Sequence, residues 1–475
     1  MSHFSSNGLS RRQMLFRAAN GFGGLALSYL ATRDSAAAAS ATSRVINPMA
    51  VLPPHFTPRA KSVIFLYMDG GPSQMDTFDP KPRLIAEHGK PLPMKIPDTQ
   101  FNDNGNIMGS PWAFHQYGQS GLPVSDLFPN VATCADDLAV IRSMVSDHSE
   151  HTAANYLLHT GFGQQGRPSM GSWVTYGLGS ENQNLPGFVV LDSGLIPAGG
   201  MDNFGAGFLP AAYQGTLFRR GQNPIANIEA HEAAPDIQTE KLALLKTLNR
   251  GVLDRQGTVS ELDAAVSNYE LAFRMQSAVP DLADIRGESQ ATLELYGIND
   301  KATENYGRQC LLARRLVERG VRFVQAITPL IKGTDRWDQH GKLVQGHTDN
   351  AKATDKPIAG LLKDLKARGL LSETLVVWGG EFGRTPMSQG KDGRDHNPFG
   401  YTMWMAGGGV KGGTVYGATD EYGYFVVENK VHVHDLHATI LHLLGMDHKQ
   451  LTYRFSGRDM RLTDVYGEVV KPLIA

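Results

Sequence analysis

Cysteine is nearly absent. Cys134 and Cys310 are the only two in 475 residues, so no disulfide framework organises this fold. Two lone buried thiols are expected, with a single bridge between them as the alternative in an oxidising compartment. A dominant charge of one sign is lacking as well. The 45 Lys and Arg nearly balance the 47 Asp and Glu, for a formal net charge of −2. That balance gives no reason to expect nucleic acid or an anionic membrane as partner. Beyond the N-terminal forty residues there is no apolar run as long as the roughly 20 residues a membrane-spanning helix needs. What the chain does have is glycine, 52 residues, and histidine, 16. The glycines imply many loops, and the histidines are clustered.

The N-terminus carries Ser10-Arg11-Arg12-Gln13-Met14-Leu15, then an uncharged stretch from Ala18 to Ala31, then the small-residue run Ala36 to Ala39. Paired arginines, a short apolar segment and an Ala-x-Ala-like zone make a twin-arginine signal peptide. The expectation is therefore a leader over residues 1–40 and a protein that works in the periplasm or otherwise outside the cytoplasm. Roughly 435 residues follow, a length that suits one large α/β domain over 41–475.

The run Ser62 to Met68 is continuously apolar after its first residue, as in a strand buried on both faces, and it stops at Asp69-Gly70-Gly71-Pro72-Ser73. A second run, Leu138 to Met144, ends at a polar loop with Asp147, His148 and His151; a third is Phe188 to Leu191. Residues 236–320 show helical periodicity instead, with Leu262, Val266, Tyr269 and Phe273 on one helix face. A helix over Glu304–Arg319 stops at Gly320 and runs into a strand, Val321 to Ala326. After the polar loop Asp335 to His340 comes a helix with Ile358, Leu361, Leu362 and Leu365 on one face, closed by Gly369. Strands at Thr374–Trp378 and Tyr401–Ala406 and a helix at Leu436–Leu444, ended by Gly445, complete the chain. Asp435 is its expected N-terminal cap. Helix alternating with strand implies a largely parallel central sheet with helices on both faces, and 197–300 reads as a helical insertion or cap.

In open parallel sheets, ligands sit outside the carboxyl ends of the strands. Four runs end there in acids or histidines: Asp69, Asp147 with His148, Asp338 with His340, and Glu381. A fifth group, Arg394 to Pro398, adds His396. Carboxylates and imidazoles gathered at one edge suit a divalent metal, which would polarise a phosphoryl or sulfuryl oxygen. Arg384 and Arg142 are candidates to hold an oxyanion.

The strings VIFLYMDGGPSQMDTFDPKP, WDQHGKLVQGH, LVVWGGEFGRTP, GRDHNP and HDLHATILHLLG resemble the bacterial "domain of unknown function 1501" family. That family is placed in the alkaline phosphatase-like superfamily with phosphatases, sulfatases and phosphoglycerate mutases. The resemblance runs in order from about residue 55 to the C-terminus. It implies metal ligands at Asp69, Asp338, His340, Glu381 and His396. It also implies a nucleophile near His151-Thr152-Ala153-Ala154-Asn155, with Thr152 first, Ser73 as rival and His148 or His151 as alternatives. Zinc is the first expectation for the metal, with calcium, magnesium or manganese as alternatives.

Two departures from the superfamily pattern stand out. Where it shows Asp-His at a strand end, this chain has Glu381-Phe382, so one imidazole is missing. Asp76 or Asp79 could replace it, with capping of the turn at Pro80 favoured for Asp79. No Cys-x-Pro/Ala-x-Arg occurs, which argues against a formylglycine sulfatase. The expectation is an exported metal-dependent hydrolase of phosphate or sulfate esters, acting on a small-molecule or glycan ester. The alternatives are a sulfohydrolase without formylglycine and a non-catalytic protein that binds an anionic glycan or a partner.

Overall fold

The structure, a computed structural model, describes residues 48–221, 224–226, 228, 235–256 and 260–475. The leader read at 1–40 lies outside the described residues.

The central sheet has nine strands. They are β1 (Ser62–Tyr67), β2 (Leu138–Val145), β3 (Phe188–Leu191), β4 (Thr216–Phe218), β5 (Phe323–Ile327), β6 (Thr374–Gly379), β7 (Tyr401–Ala406), β8 (Thr414–Tyr416) and β9 (Val431–His432). The helices that matter here are α1 (His151–Thr160), α2 (Met170–Leu178), α3 (Pro235–Gln256), α4 (Ser260–Ala283), α5 (Glu304–Glu318), α6 (Leu343–Ala367) and α7 (Val433–Leu443). The sheet order is β8-β2-β7-β6-β1-β5-β3-β4, with β9 also paired to β2. β7 runs antiparallel to both its neighbours, and every other pairing is parallel. The fold is therefore mixed α/β around a mostly parallel sheet, as the alternation of helix and strand predicts.

β1 is buried along its whole length, and its side chains divide between two cores. Ile64, Leu66 and Met68 join Leu312 and Leu316 of α5 and Ile358, Leu361 and Leu365 of α6. Val63, Phe65 and Tyr67 join Leu157 of α1, Trp173 of α2 and Ile440 of α7. Helices thus cover both faces, which is why the central strands read as apolar runs without alternation. Cys134 and Cys310 are free and buried in the first of these cores.

Two details differ from the sequence reading. In α4 the buried stripe is Met275, Val279 and Leu282, while Tyr269 is exposed. Two stripes on that helix are apolar, and the sequence does not say which one meets the core. The side chains of Leu262 and Val266 lie outside the described residues. Within 197–300, β4 pairs with β3 and extends the central sheet. At the last helix, His432 is the N-cap and Asp435 closes a capping box from the third position.

The carboxyl ends of β1, β6 and β2 deliver Asp69, Glu381 and the loop 146–150 to one edge. The Asp338 loop reaches that edge because Gly70 has no side chain. At Gly70 the backbone is left-handed, φ +104°, and a Cβ there would lie 2.6 Å from the Asp338 nitrogen.

Candidate metal centre

Four donors converge on one point. Nitrogens of His151, His340 and His396 and a carboxylate oxygen of Asp338 all lie within 4.8 Å of one another. Each ring turns Nε2 toward Asp338: His340 at 2.8 Å, His151 at 3.1 Å and His396 at 3.2 Å. Each ring is also held from behind through Nδ1. His151 Nδ1 meets the Glu381 carboxylate at 2.6 Å, His396 Nδ1 meets the Ser149 carbonyl at 2.5 Å, and His340 Nδ1 meets the Gln389 side-chain oxygen.

Those partners decide the tautomers. A carbonyl or carboxylate oxygen accepts, so Nδ1 must donate, and in a neutral ring Nε2 then carries a lone pair. Burial, with the charge of Arg384 adding to it, lowers the His396 pKa to about 4, so this ring is neutral at pH 7. Its bare Nε2 therefore faces a carboxylate oxygen, acceptor against acceptor. His151 Nε2 is buried and has no well-formed hydrogen bond despite its closeness to Asp338. A cation among the three Nε2 atoms and Asp338 resolves both conflicts. Imidazoles braced at Nδ1 by a carboxylate or a carbonyl are the usual outer support of a metal site. The donor set fits a divalent metal.

Asp338 is held from the protein side as well. Burial works against its charge, but Arg384 and the three histidines outweigh that and keep it far below the usual carboxylate range. Arg384 is fully buried and places Nη2 2.6 Å from Asp338 Oδ1. Its other donors go to the carbonyls of Gly70, Gly71 and Arg394. That spends its donors inside the protein, so Arg384 positions Asp338 instead of clasping an oxyanion. Arg142 donates to the Phe78 carbonyl and lies by Asp79, away from the cluster.

Glu381 and Asp69 form a second, closed group behind His151. Tyr67 OH lies 3.1 Å from Glu381 and 3.0 Å from Asp69, and also meets Asn155 Oδ1. Arg336 pairs with Asp69 and donates to the Leu195 carbonyl. Burial pushes the Asp69 carboxyl up to about 6, against the pull of Arg336.

Of the residues singled out by sequence, Asp338, His340 and His396 come together, and His151 joins them from the first turn of α1. Glu381 touches the cluster through His151, and Asp69 lies one step further back through Tyr67. Of the two hydroxyl candidates, Ser73 is engaged elsewhere, its Oγ donating to Asp76 at 2.5 Å, and Thr152 gives its N–H to the Glu150 cap of α1. The His148 ring lies over Gly163, and His148 is not among the converging donors. Asp76 pairs with Arg394, and Asp79 with Lys81 at 3.0 Å, so neither supplies a ligand and Asp79 forms a buried ion pair in place of a turn cap. Phe382, where the resemblance implies an imidazole, packs its ring 4.4 Å from His396 and 4.9 Å from His151 as an apolar wall.

Sequence reasoning missed Tyr67, Arg336 and Gln389. Tyr67 reads as the end of an apolar strand, although a hydroxyl at the carboxyl end of a buried strand is itself a signal. Arg336 sits two residues before Asp338, in a loop noted only for its acids and its histidine.

A family model described as "Protein of unknown function (DUF1501)" matches residues 60–474. Among solved structures, the chain is similar to the lipoteichoic acid synthase LtaP from Listeria monocytogenes at 8% identity, over 87% of this chain and 78% of that one, with a TM-score of 0.37. It is similar to alkaline phosphatase from the Antarctic bacterium TAB5 at 12% identity, over 82% and 98%, TM-score 0.35. It is also similar to the phosphonate monoester hydrolase SpPMH from Silicibacter pomeroyi at 11% identity, over 73% and 71%, TM-score 0.35. A search of curated proteins finds no match.

Proposed function

The chain belongs to the DUF1501 family, and from that premise we propose that it is a metal-dependent hydrolase of phosphate or sulfate esters, exported by the twin-arginine route. The observation that carries this reading is the trio of imidazoles, each braced at Nδ1 and each turning Nε2 onto Asp338. His151, His340, His396 and Asp338 would hold a divalent metal, zinc being the first expectation for a site with three imidazoles and one carboxylate. A metal held there supplies Lewis-acid polarisation of the ester oxyanion.

The chain's own residues do the rest. Arg384 fixes Asp338, and Glu381 fixes the tautomer of His151 by accepting from Nδ1. Tyr67 joins Glu381 to Asp69, so a proton can be shared between two buried carboxylates behind the ring. Phe382 and Phe101 wall the imidazoles and limit the water that reaches them. With Ser73 committed to Asp76, water is the attacking oxygen: it bonds the phosphorus or sulfur and gives up a proton, and the departing alcohol oxygen takes up a proton. The test is hydrolysis of a panel of phosphate monoesters, phosphodiesters and sulfate esters, lost on chelation and restored by one divalent metal. Absence of turnover on every ester by metal-loaded protein overturns the proposal.

One observation favours a second reading, a protein that binds an anionic ligand without turnover. Arg384 and Arg336 already neutralise Asp338 and Asp69. Protein that stays metal-free in excess zinc, yet binds a sulfated glycan, would favour it.

A further inference from the structure

The loop 146–150 has two sides. On one, the Ser149 carbonyl braces His396 and Glu150 caps the helix that carries His151. On the other, Asp147 forms part of the wall of a separate cavity of about 790 Å³. The cavity lies between that loop, the start of α7 and the chain around 461–468, and it is lined also by Lys430, His434, Lys449, Arg461 and Tyr466.

Its chemistry is uneven. The three carboxylates in the wall have partners: Asp147 has His432 at 3.1 Å, Asp435 takes the N–H groups of His432 and Glu468, and Glu468 has Lys449 at 3.7 Å. Lys430 and Arg461 have no carboxylate partner among the described residues. His434 is buried, and its Nε2 donates to the Gly161 carbonyl, which leaves Nδ1 an acceptor with no partner. Tyr466 stacks on that ring at 5.1 Å yet is 62% exposed, a flat apolar face turned to solvent beside Lys430 and Arg461, the latter with only its Nε spent, on the Asp464 carbonyl. Aromatic faces pack against the C–H faces of sugar rings, while cations suit a sulfate or carboxylate.

We infer that this cavity is a subsite for an acidic sugar unit, adjoining the metal centre across the loop 146–150. The inference rests on the ester-hydrolase reading and sharpens it, because the substrate then becomes an acidic oligosaccharide whose neighbouring unit is held by Tyr466, Lys430 and Arg461.

Binding separates the two. Titration calorimetry of the full chain with a fully sulfated heparin disaccharide is expected to show saturable binding that weakens as salt rises. Tyr466→Ala should weaken it about fivefold, and Lys430→Glu with Arg461→Glu about tenfold or more. Tyr466 and Lys430 are exposed and Arg461 is half-buried, so far-UV circular dichroism checks the fold of each variant. Lys430→Glu alone, expected to weaken binding in the same direction, serves if the double variant does not fold. His396→Ala, which removes a metal donor, should weaken the disaccharide far less than the cavity variants do. Unchanged affinity in both cavity variants, or a loss in His396→Ala as large as theirs, overturns the subsite. Inorganic sulfate binding as tightly as the disaccharide overturns the sugar assignment. Turnover absent on every ester with disaccharide binding intact would refute the hydrolase reading alone.

Discussion

Two carboxylates in this protein are each gripped by an arginine, and the two surroundings could hardly differ more. Asp338, with its side chain 32% exposed, gathers three imidazoles and keeps an open side. Asp69 is buried against Tyr67, Glu381 and Arg336, with no histidine on it and no path to solvent of that kind. The first arrangement concentrates lone pairs on one point and suits a cation. The second shares hydrogen bonds between acids and suits a proton. The residue that joins them is His151, Nε2 toward Asp338 and Nδ1 toward Glu381. Its pKa shows the link: burial disfavours a charged ring, but Asp338 and Glu381 outweigh that and raise it to about 10. A metal entering the open half must therefore displace that proton.

The comparison breaks first at Asp338. Asp338→Asn should abolish metal binding and leave the Arg384 charge uncompensated in the interior, a loss of about 3–5 kcal/mol in urea-unfolding free energy. A variant as stable as wild type, with its metal retained, would show that Asp338 organises nothing. In the closed half, Tyr67→Phe removes the hydroxyl shared by Asp69, Glu381 and Asn155. The expected cost is about 1–3 kcal/mol, with metal content unchanged, so the two halves separate by readout.

The closed half also leaves a mark on pH dependence. The folded pKa of Asp69 is raised to about 6 from the ordinary 3.8 of an aspartate. Between those values the folded state holds a proton that the unfolded state has released. Stability from this group is therefore present at low pH and lost as pH rises through about 6, at no more than ~1.4 kcal/mol per pH unit. Buried histidines with lowered pKa values, His159, His347 and His437 among them, add a slope of opposite sign to wild type and Asp69→Asn alike. The Asp69 contribution is therefore the difference: in urea melts from pH 4 to 7, Asp69→Asn should gain more stability with rising pH than wild type does, and equal slopes would refute the assignment. The smallest effect belongs to Thr152→Ala. With water as the attacking oxygen, turnover should change by less than about threefold, against the 10²–10⁴ expected for a residue that moves a proton in the reaction. A larger loss would restore Thr152 as nucleophile.

Much of this was legible in the sequence. Apolar runs ending in Asp69 and Glu381 mark strands buried on both faces, and the order of helices and strands implies the parallel sheet. Asp338, His340 and His396 stand out because acids and histidines in adjacent loops have few structural uses in common. The distinction between the two halves is not legible. It depends on Arg336 turning to Asp69 and Arg384 to Asp338, and on side chains from β1, β6 and α1 meeting in space. His151 reads as part of a polar loop next to a tempting threonine, so its ring seems a lesser nucleophile candidate until Glu381 is seen at its Nδ1. The face of α4 is hidden for another reason. Both the Tyr269 and the Met275 stripes are apolar, and only the neighbouring helices choose between them.

The central claim, that three braced imidazoles and Asp338 hold a divalent metal, is tested most directly by elemental analysis of the purified chain. The account predicts stoichiometric divalent metal in wild type, its loss in His340→Ala and His396→Ala, and its retention in Thr152→Ala. Metal content identical in all four proteins, or none in wild type after incubation with excess zinc, would contradict it.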